Sequence, residues 1–156
     1  MSRRDLITMT EDEITTFLRQ SRTMILTSND KDGYPQPMPM WYAVDDEGAV
    51  VVTTFRKSQK ILNLKRDPKV SLLVEAGEEY AELRSVLIYA DAEIIDDQAH
   101  TQDTLYRVTL HRGDTTPEQR DDVIAGVAKT AEKRVTIRMV PKQVVSWDHR
   151  KLGGRY

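Results

Sequence analysis

The apolar positions change period early in the chain. Ile14, Phe17 and Leu18 recur at helical spacing and form a narrow apolar stripe. Thr10 stands where an N-cap belongs, Glu13 completes a capping box, and Met9 with Ile14 are placed as a hydrophobic staple. A helix to about Ser21 is predicted. Residues 23–28 then read as a short strand, the cluster Asn29-Asp30-Lys31-Asp32-Gly33 as a turn, and residues 34–44 as extended chain. Asp45-Asp46-Glu47-Gly48 closes a hairpin onto a strand at residues 49–54. Ser58 suits the N-cap of a helix carrying Ile61, Leu62 and Leu64, which Asp67-Pro68 stops.

Residues 70–75 read as a buried strand with a turn at 76–79. Strands at 80–83 and 86–95 follow, or one long bent strand. Residues 98–112 look helical. A capped helix starts at Thr116-Pro117, with Pro at its first position, and runs towards Lys133. Val135, Ile137 and Met139 alternate with Arg134, Thr136 and Arg138 as a half-buried strand, and residues 144–147 add a short one before a basic tail. Five to seven strands in hairpin order, with a few helices inserted, predict a mainly β, α+β chain built as an antiparallel barrel. Strands and helices do not alternate regularly, which argues against a doubly wound parallel sheet. No repeat or linker interrupts residues 1–156, so one domain is expected.

Pro35, Pro37 and Pro39 occupy every second position of the extended segment. Alternate residues of a strand turn their N–H groups to the same neighbour, so these prolines strip donors from one side. Gln36, Met38 and Met40 still pair on the other. Part of this strand is therefore an edge whose proline carbonyls are free to accept from something other than a strand.

Composition narrows the function classes. The chain has 156 residues and 17.9 kDa, 39% hydrophobic and 31% charged. Lys plus Arg is 23 against 25 Asp plus Glu, a net charge of -2, and the basic excess of a nucleic-acid binder is missing. Cysteine is absent, which excludes disulfides, thiolate nucleophiles and zinc–thiolate sites. The N-terminus carries no apolar signal-like stretch, and the most apolar run, residues 49–55, falls well short of the ~20 residues a membrane helix needs. A soluble, cytoplasmic protein with no membrane or nucleic-acid partner is expected.

The candidate chemistry lies in Thr53-Thr54-Phe55-Arg56-Lys57-Ser58-Gln59-Lys60. Two hydroxyls end a strand, two cations follow, and a Ser starts a helix. Free N–H groups, the positive helix end and nearby cations together suit an anion such as a phosphate. A capped surface helix with solvated cations fits the same spacing equally well, and the Gly-rich loop of a P-loop is missing. Trp41, among Met38, Pro39, Met40 and Tyr42, either packs the core or lies beside a flat ring held on the proline-edged strand. His100 and His111 stand about three helical turns apart, too far for one metal. Ser146, Asp148 and His149 are triad residue types, but sequence neighbours rarely reach triad geometry. Glu78 and Glu79 beside Gly77 read as a solvated turn. No metal-ligand spacing and no acid–base dyad stands out.

Three stretches carry a family resemblance. They are Gly33-Tyr-Pro-Gln-Pro-Met-Pro-Met-Trp41, the run Thr53…Lys57-Ser58-x-Lys60-x-x-Asn63-Leu64-x-Arg66-Asp67-Pro68-x-Val70-Ser71, and Tyr80-Ala-Glu-Leu-Arg84…Ala92-Glu93-Ile94. The chain resembles the pyridoxamine 5′-phosphate oxidase-like split β-barrel flavoproteins, FMN-binding antiparallel Greek-key barrels. More narrowly, with Val145-Ser-Trp-Asp-His-Arg-Lys-Leu-Gly-Gly154, it is similar to their actinobacterial flavin/deazaflavin oxidoreductase branch. Tyr89-Ala90-Asp91 departs from the pattern, since many relatives carry a glycine before an Ala-Glu pair. The resemblance implies a homodimer with two cofactor sites at its interface and the strand around Met38–Trp41 facing the ring. Thr53, Thr54, Lys57, Ser58 and Lys60, with Arg56 beside them, would hold the phosphorylated arm, and Trp147, Lys151 and Arg155 would reach in from the tail. It implies coenzyme F420 as cofactor, or FMN in its place. The function that follows is hydride transfer to a small conjugated acceptor, with an FMN oxidase or reductase, or a non-catalytic flavin or haem binder, as alternatives.

Overall fold

The computed structural model describes residues 2–154. Its elements in chain order begin with α1 (Arg3–Ile7), α2 (Glu11–Gln20), β1 (Thr23–Asn29), β2 (Pro35–Trp41), β3 (Ala43–Val44) and β4 (Val50–Phe55). There follow α3 (Gln59–Arg66), β5 (Lys69–Ala76), β6 (Arg84–Ile95), α4 (Gln98–His111), α5 (Arg120–Gly126), α6 (Ala128–Ala131) and β7 (Arg134–Asp148). The capping box predicted for α2 is present, with Thr10 Oγ1 accepting from Glu13 N and Glu13 returning the bond to Thr10 N. A second box, Ser2 with Asp5, starts the short α1, whose few residues carry too little periodicity to announce a helix.

All seven strands join one antiparallel sheet in the order β2-β1-β5-β6-β7-β4-β3. Long connections set β5 beside β1 and β7 beside β4, so the order departs from a meander in the manner of a Greek key. The outermost strands, β2 and β3, are consecutive in the chain and only Tyr42 separates them. Two residues of chain span at most about 7 Å. The sheet therefore curls until its edges meet at Tyr42, and a barrel results.

The interior of the curl holds the main core. Met24, Leu26, Val50, Val52, Leu72, Val74, Val86, Ile88, Val135, Ile137 and Met139 point inward, joined by Phe17 of α2 and by Ile61 and Leu64 of α3. Tyr42 lies in this cluster at 0% exposure, its hydroxyl donating to the Leu18 carbonyl at 2.5 Å. Burial pushes the Tyr42 phenol pKa up, so the hydroxyl stays a donor. On the outside of β3 and β4, Ala43 and Val51 pack against Val108 of α4, and Thr136 bonds to Thr101 and Thr104 of the same helix.

Three predicted elements differ. Residues 80–83 are not a strand: Tyr80–Glu82 form a 3-10 turn. Gly77 precedes it at φ +100, and a Cβ there would sit 2.5 Å from the Glu82 carbonyl oxygen, so the chain folds back too tightly to stay extended. The helix from Thr116 towards Lys133 breaks into a 3-10 turn at Pro117–Gln119, then α5 and α6, with Val127 leaving helical geometry after Gly126. The strands at 135–139 and 144–147 are one, β7, which a register shift opposite Tyr89/Ala90 lets bend with β6.

If Tyr42 fixes the closure, Tyr42→Ala should cost about 3–5 kcal/mol in urea unfolding, the range for deleting a buried aromatic ring. Tyr42→Phe should cost only about 1–3 kcal/mol, for the unpaired Leu18 carbonyl. An Ala variant within 1 kcal/mol of the parent would contradict this role.

Candidate functional site

The sheet edges come together through Tyr42 alone, since no strand pairing links β2 with β3 among the described residues. β3 pairs with β4 at Val50 and Val51 alone, so beyond Val51 that flank of β4 has no partner strand. β2 likewise pairs only with β1. The two strands part, and α3 bridges the opening. Asn63, fully buried, fixes the bridge by donating to Ser28 Oγ (3.1 Å) and Gln36 Oε1 (2.8 Å).

The free flank of β2 has the predicted character. In its pairing with β1, Gln36, Met38 and Met40 stand opposite Ser28, Leu26 and Met24. At Pro35, Pro37 and Pro39 the outer flank offers carbonyl acceptors and no donors. That composition blunts strand addition while keeping acceptors for a ligand N–H. Met40 packs against the core, whereas Met38 is 41% exposed. Trp41 is 59% exposed, which sets aside its packing in the core. The guanidinium of Arg112 lies 3.6 Å from its ring centroid and is held by Asp114.

At the start of α3 the structure brings together Thr54, Lys57, Ser58 and Lys60. Thr54 Oγ1 donates to Ser58 Oγ and accepts from Lys60 Nζ, both at 3.2 Å. Ser58 has N-cap backbone geometry, but its side chain makes no cap hydrogen bond. The first N–H groups of α3 thus lack a side-chain acceptor. Lys60 is half-buried and no carboxylate pairs with it among the described residues. Burial, and then the neighbouring charge of Arg134, hold its pKa below the ordinary value of 10.5. Lys57 is exposed beside a cleft of about 540 Å³ lined by Phe55, Arg56, Lys57, Ser58 and Lys133. These are hydroxyl, ammonium and backbone donors without a counter-anion, a set that fits a phosphate.

Other predicted residues are placed elsewhere. Thr53 alternates with Thr54 and stands opposite Thr136, on the α4 side of the sheet. Arg56 is spent on Asp96 and the Glu132 carbonyl, tying the strand end to the surrounding loops. Lys151 donates to the Thr8 carbonyl and Glu13. Trp147 is half-buried near the end of β7, opposite Ser85. Arg155 lies outside the described residues. The triad types do not assemble: Ser146 accepts from Met9 N, Asp148 pairs with Arg150, and His149 meets the Tyr80 carbonyl. Arg134, which alternation marked only as the polar side of a strand, is what the structure adds. It stands opposite Phe55 and closes over that ring.

Two further features frame the site. On the sheet face opposite the core, Pro39, Ile25, Leu73, Leu87 and Val145 stand in one cross-strand row over five strands, and none belongs to a core cluster. A larger cleft of about 700 Å³ lies between α2, α4 and the β3–β4 turn. Its Arg107 is committed to Asp46 and Asp103, so it offers less free charge.

The family model for pyridoxamine 5′-phosphate oxidase matches residues 10–148. The chain belongs to this family of split β-barrel proteins. Among solved structures it is similar to the conserved hypothetical protein Rv2991 of Mycobacterium tuberculosis, at 39% identity and TM-score 0.86, over 100% of this chain and 95% of that one. An F420 reductase is 24% identical with TM-score 0.61, over 83% and 93% of the two chains. The haem storage protein HutZ of Vibrio cholerae is 20% identical with TM-score 0.63, over 87% and 94%. The last two likenesses establish the fold alone. No curated protein matches the chain.

The Lys60 environment makes a testable demand. Folding lowers its pKa, so below 10.5 the unfolded chain binds more protons and stability rises with pH through the window beneath that value. Lys60→Met removes the dependence. In phosphate-free buffer it should be at least as stable as the parent at pH 7 and lose that margin as pH climbs towards 10.5. A variant less stable at pH 7 would show that Lys60 is anchored by something other than a missing anion.

Proposed function

We propose that the chain is an oxidoreductase that binds coenzyme F420 and passes a hydride from its reduced form to a small conjugated organic acceptor. The observation that carries the reading is the half-buried Lys60, with Thr54, Ser58 and Lys57 at the start of α3, uncompensated by any carboxylate among the described residues. When bound, the tricyclic ring supplies the hydride chemistry; the protein supplies binding, orientation and exclusion of water. Thr54, Lys57, Ser58 and Lys60 hold the phosphate of the cofactor arm. The carbonyls of Pro37 and Pro39 accept from the ring's polar edge, and Met38 and Trp41 border it. Arg56, held by Asp96, keeps the β4–α3 corner in shape.

A homodimer completes this reading. The row from Pro39 to Val145 is apolar, spans the sheet and includes the strand that borders the proposed ring site. A second copy packed on it would bring Trp147 of one protomer towards the site of the other. The tail residue Lys151, being committed to Thr8 and Glu13, then supports the N-terminal corner rather than the ligand.

FMN is the second reading. It shares the ring and the phosphate, and the family model matched here is that of a flavin-type barrel. The cleft beside Lys57 and Ser58, with Lys133 on its wall, favours F420, whose arm continues past the phosphate where that of FMN ends. A non-catalytic haem binder is the third. His111 Nε2 and His149 Nδ1 are each engaged with a backbone carbonyl, which leaves that reading the least supported.

Titration of the purified chain with F420 and, separately, with FMN distinguishes the three. Quenching of F420 fluorescence at lower concentration than FMN supports the first; a protein that purifies yellow with flavin bands supports the second; a Soret band supports the third. Lys57→Ala should weaken binding of the preferred cofactor by about 1–3 kcal/mol. An unchanged dissociation constant would remove Lys57 from the phosphate site.

A further inference from the structure

We propose that the cleft of about 700 Å³ between α2, α4 and the β3–β4 turn binds an organic monoanion with an apolar body, its charge taken by Arg19 and its body by an unfilled end of the barrel core. This site is separate from the start of α3 and does not rest on the function proposed above.

Val144 shows that the barrel is not filled here. It stands directly opposite Ile88, a buried member of the core cluster, so both lie on the core face of the sheet. Yet Val144 is 41% exposed. The register shift passes over Lys142 and sets Pro141 opposite the buried Ala90, so Pro141 also comes to the core side instead of alternating away. Both line the cleft, whose floor is the core residues Val50 and Ile88. Ile14, Leu18, Val44 and Leu110 form its walls, each only partly buried. Core-face side chains left open lack the contacts that the rest of the interior has, and water finds few polar partners among them. The volume lies within the ~300–1,000 Å³ of small-molecule sites. The row from Pro39 to Val145 is on the other face, so a second copy packed there leaves this cleft free.

Charge decides what kind of small molecule fits. Asp45 is paired with Arg138, Asp46 with Arg107, and Arg107 also with Asp103. His111 Nε2 is engaged with the Ser21 carbonyl. Arg19, in the last turn of α2, is the charged side chain of the lining that meets no carboxylate among the described residues. A cation entering the cleft would compete with Arg107 or Arg138 for a carboxylate, whereas an anion finds the Arg19 fork free. Asp45 and Asp46 at the same rim repel further negative charge, which limits the head group to a single one. A carboxylate on a hydrocarbon or aromatic body meets both halves of this lining.

The test is calorimetric titration of the full chain with octanoate and, separately, with octan-1-ol, which has the same body and no charge. The parent should bind octanoate roughly tenfold or more tightly than octanol, the size of one charged hydrogen-bond partner. Arg19→Gln should remove that difference and leave octanol affinity unchanged. Thr15→Glu places a carboxylate one helical turn before Arg19, where the pair occupies the guanidinium; it should weaken octanoate similarly at a Tm no lower than the parent's. Val144→Asp, at a position already open to solvent, should weaken both ligands; should it fail to fold, the two α2 variants decide. A parent that does not bind octanoate, or binds octanoate and octanol equally, overturns the assignment. Parental octanoate affinity in Arg19→Gln and Thr15→Glu, or in a folded Val144→Asp, overturns it too. All these outcomes leave the proposed function standing. Saturating FMN should not change octanoate affinity; displacement by FMN would give the cleft to the cofactor and overturn this assignment together with the site at α3.

Discussion

A single residue, Tyr42, stands between the two outermost strands of the sheet, and the architecture follows from that distance. Edge strands that are neighbours in the chain must meet, so the sheet curls and encloses its own core. The same constraint explains why the barrel is split. β3 is only two residues long, so the flank of β4 beyond Val51 finds no partner, and β2 carries prolines that keep it from finding one. An opening left between donor-free and unpaired strand flanks has to be filled by something else. α3 fills part of it, fixed by Asn63, and its N-terminus is thereby set at the edge of the remaining space.

Electrostatics then separates this space from the other concave places on the surface. The network of Arg107, Arg120 and Arg138 with Asp45, Asp46, Glu47 and Asp103 binds the β3–β4 turn to α4 and β7, and every charge in it has a partner. Around α3 the pattern reverses. Among the described residues Lys60 and Arg134 meet no carboxylate, Ser58 does not cap its helix, and Arg134 Nε has no acceptor. Such uncompensated donors are costly in a folded protein unless a ligand takes them up. Free charge thus lies at the smaller cleft, whereas in the larger one between α2 and α4 Arg107 is held by Asp46 and Asp103 and Arg19 is the cation without an ion pair among the described residues.

Much of this was legible beforehand because it depends on local chemistry. The Thr10–Glu13 capping box, the prolines at alternate positions and the stop at Asp67-Pro68 act within a few residues, and the helices and strand they predict are present. The hydroxyl–cation run at the start of α3 read equally as an anion site or as a capped surface helix, and the structure brings Thr54, Ser58 and Lys60 into contact there. What was not legible depends on pairing between distant segments. That Thr53 turns away while Thr54 turns in follows from register with β7. That Arg56 is consumed by Asp96, and Lys151 by Glu13, follows from contacts 40 and 138 residues apart. That Arg134 lies over Phe55 follows from the pairing of β7 with β4, which no local pattern announces. The 3-10 turn at Tyr80–Glu82 was missed for the opposite reason: a β-prone composition yields to the tight fold-back at Gly77.

The central claim is that the cofactor arm lies across the start of α3 and its ring along the free flank of β2. Hydrogen exchange of the purified chain, followed segment by segment with and without saturating F420 or FMN, examines it directly. The account predicts slowed exchange in residues 54–62 and in the chain flanking β2, with the α2–α4 cleft unchanged. Slowing confined to that cleft, around Leu18 and Leu110, with none at the start of α3, would contradict it.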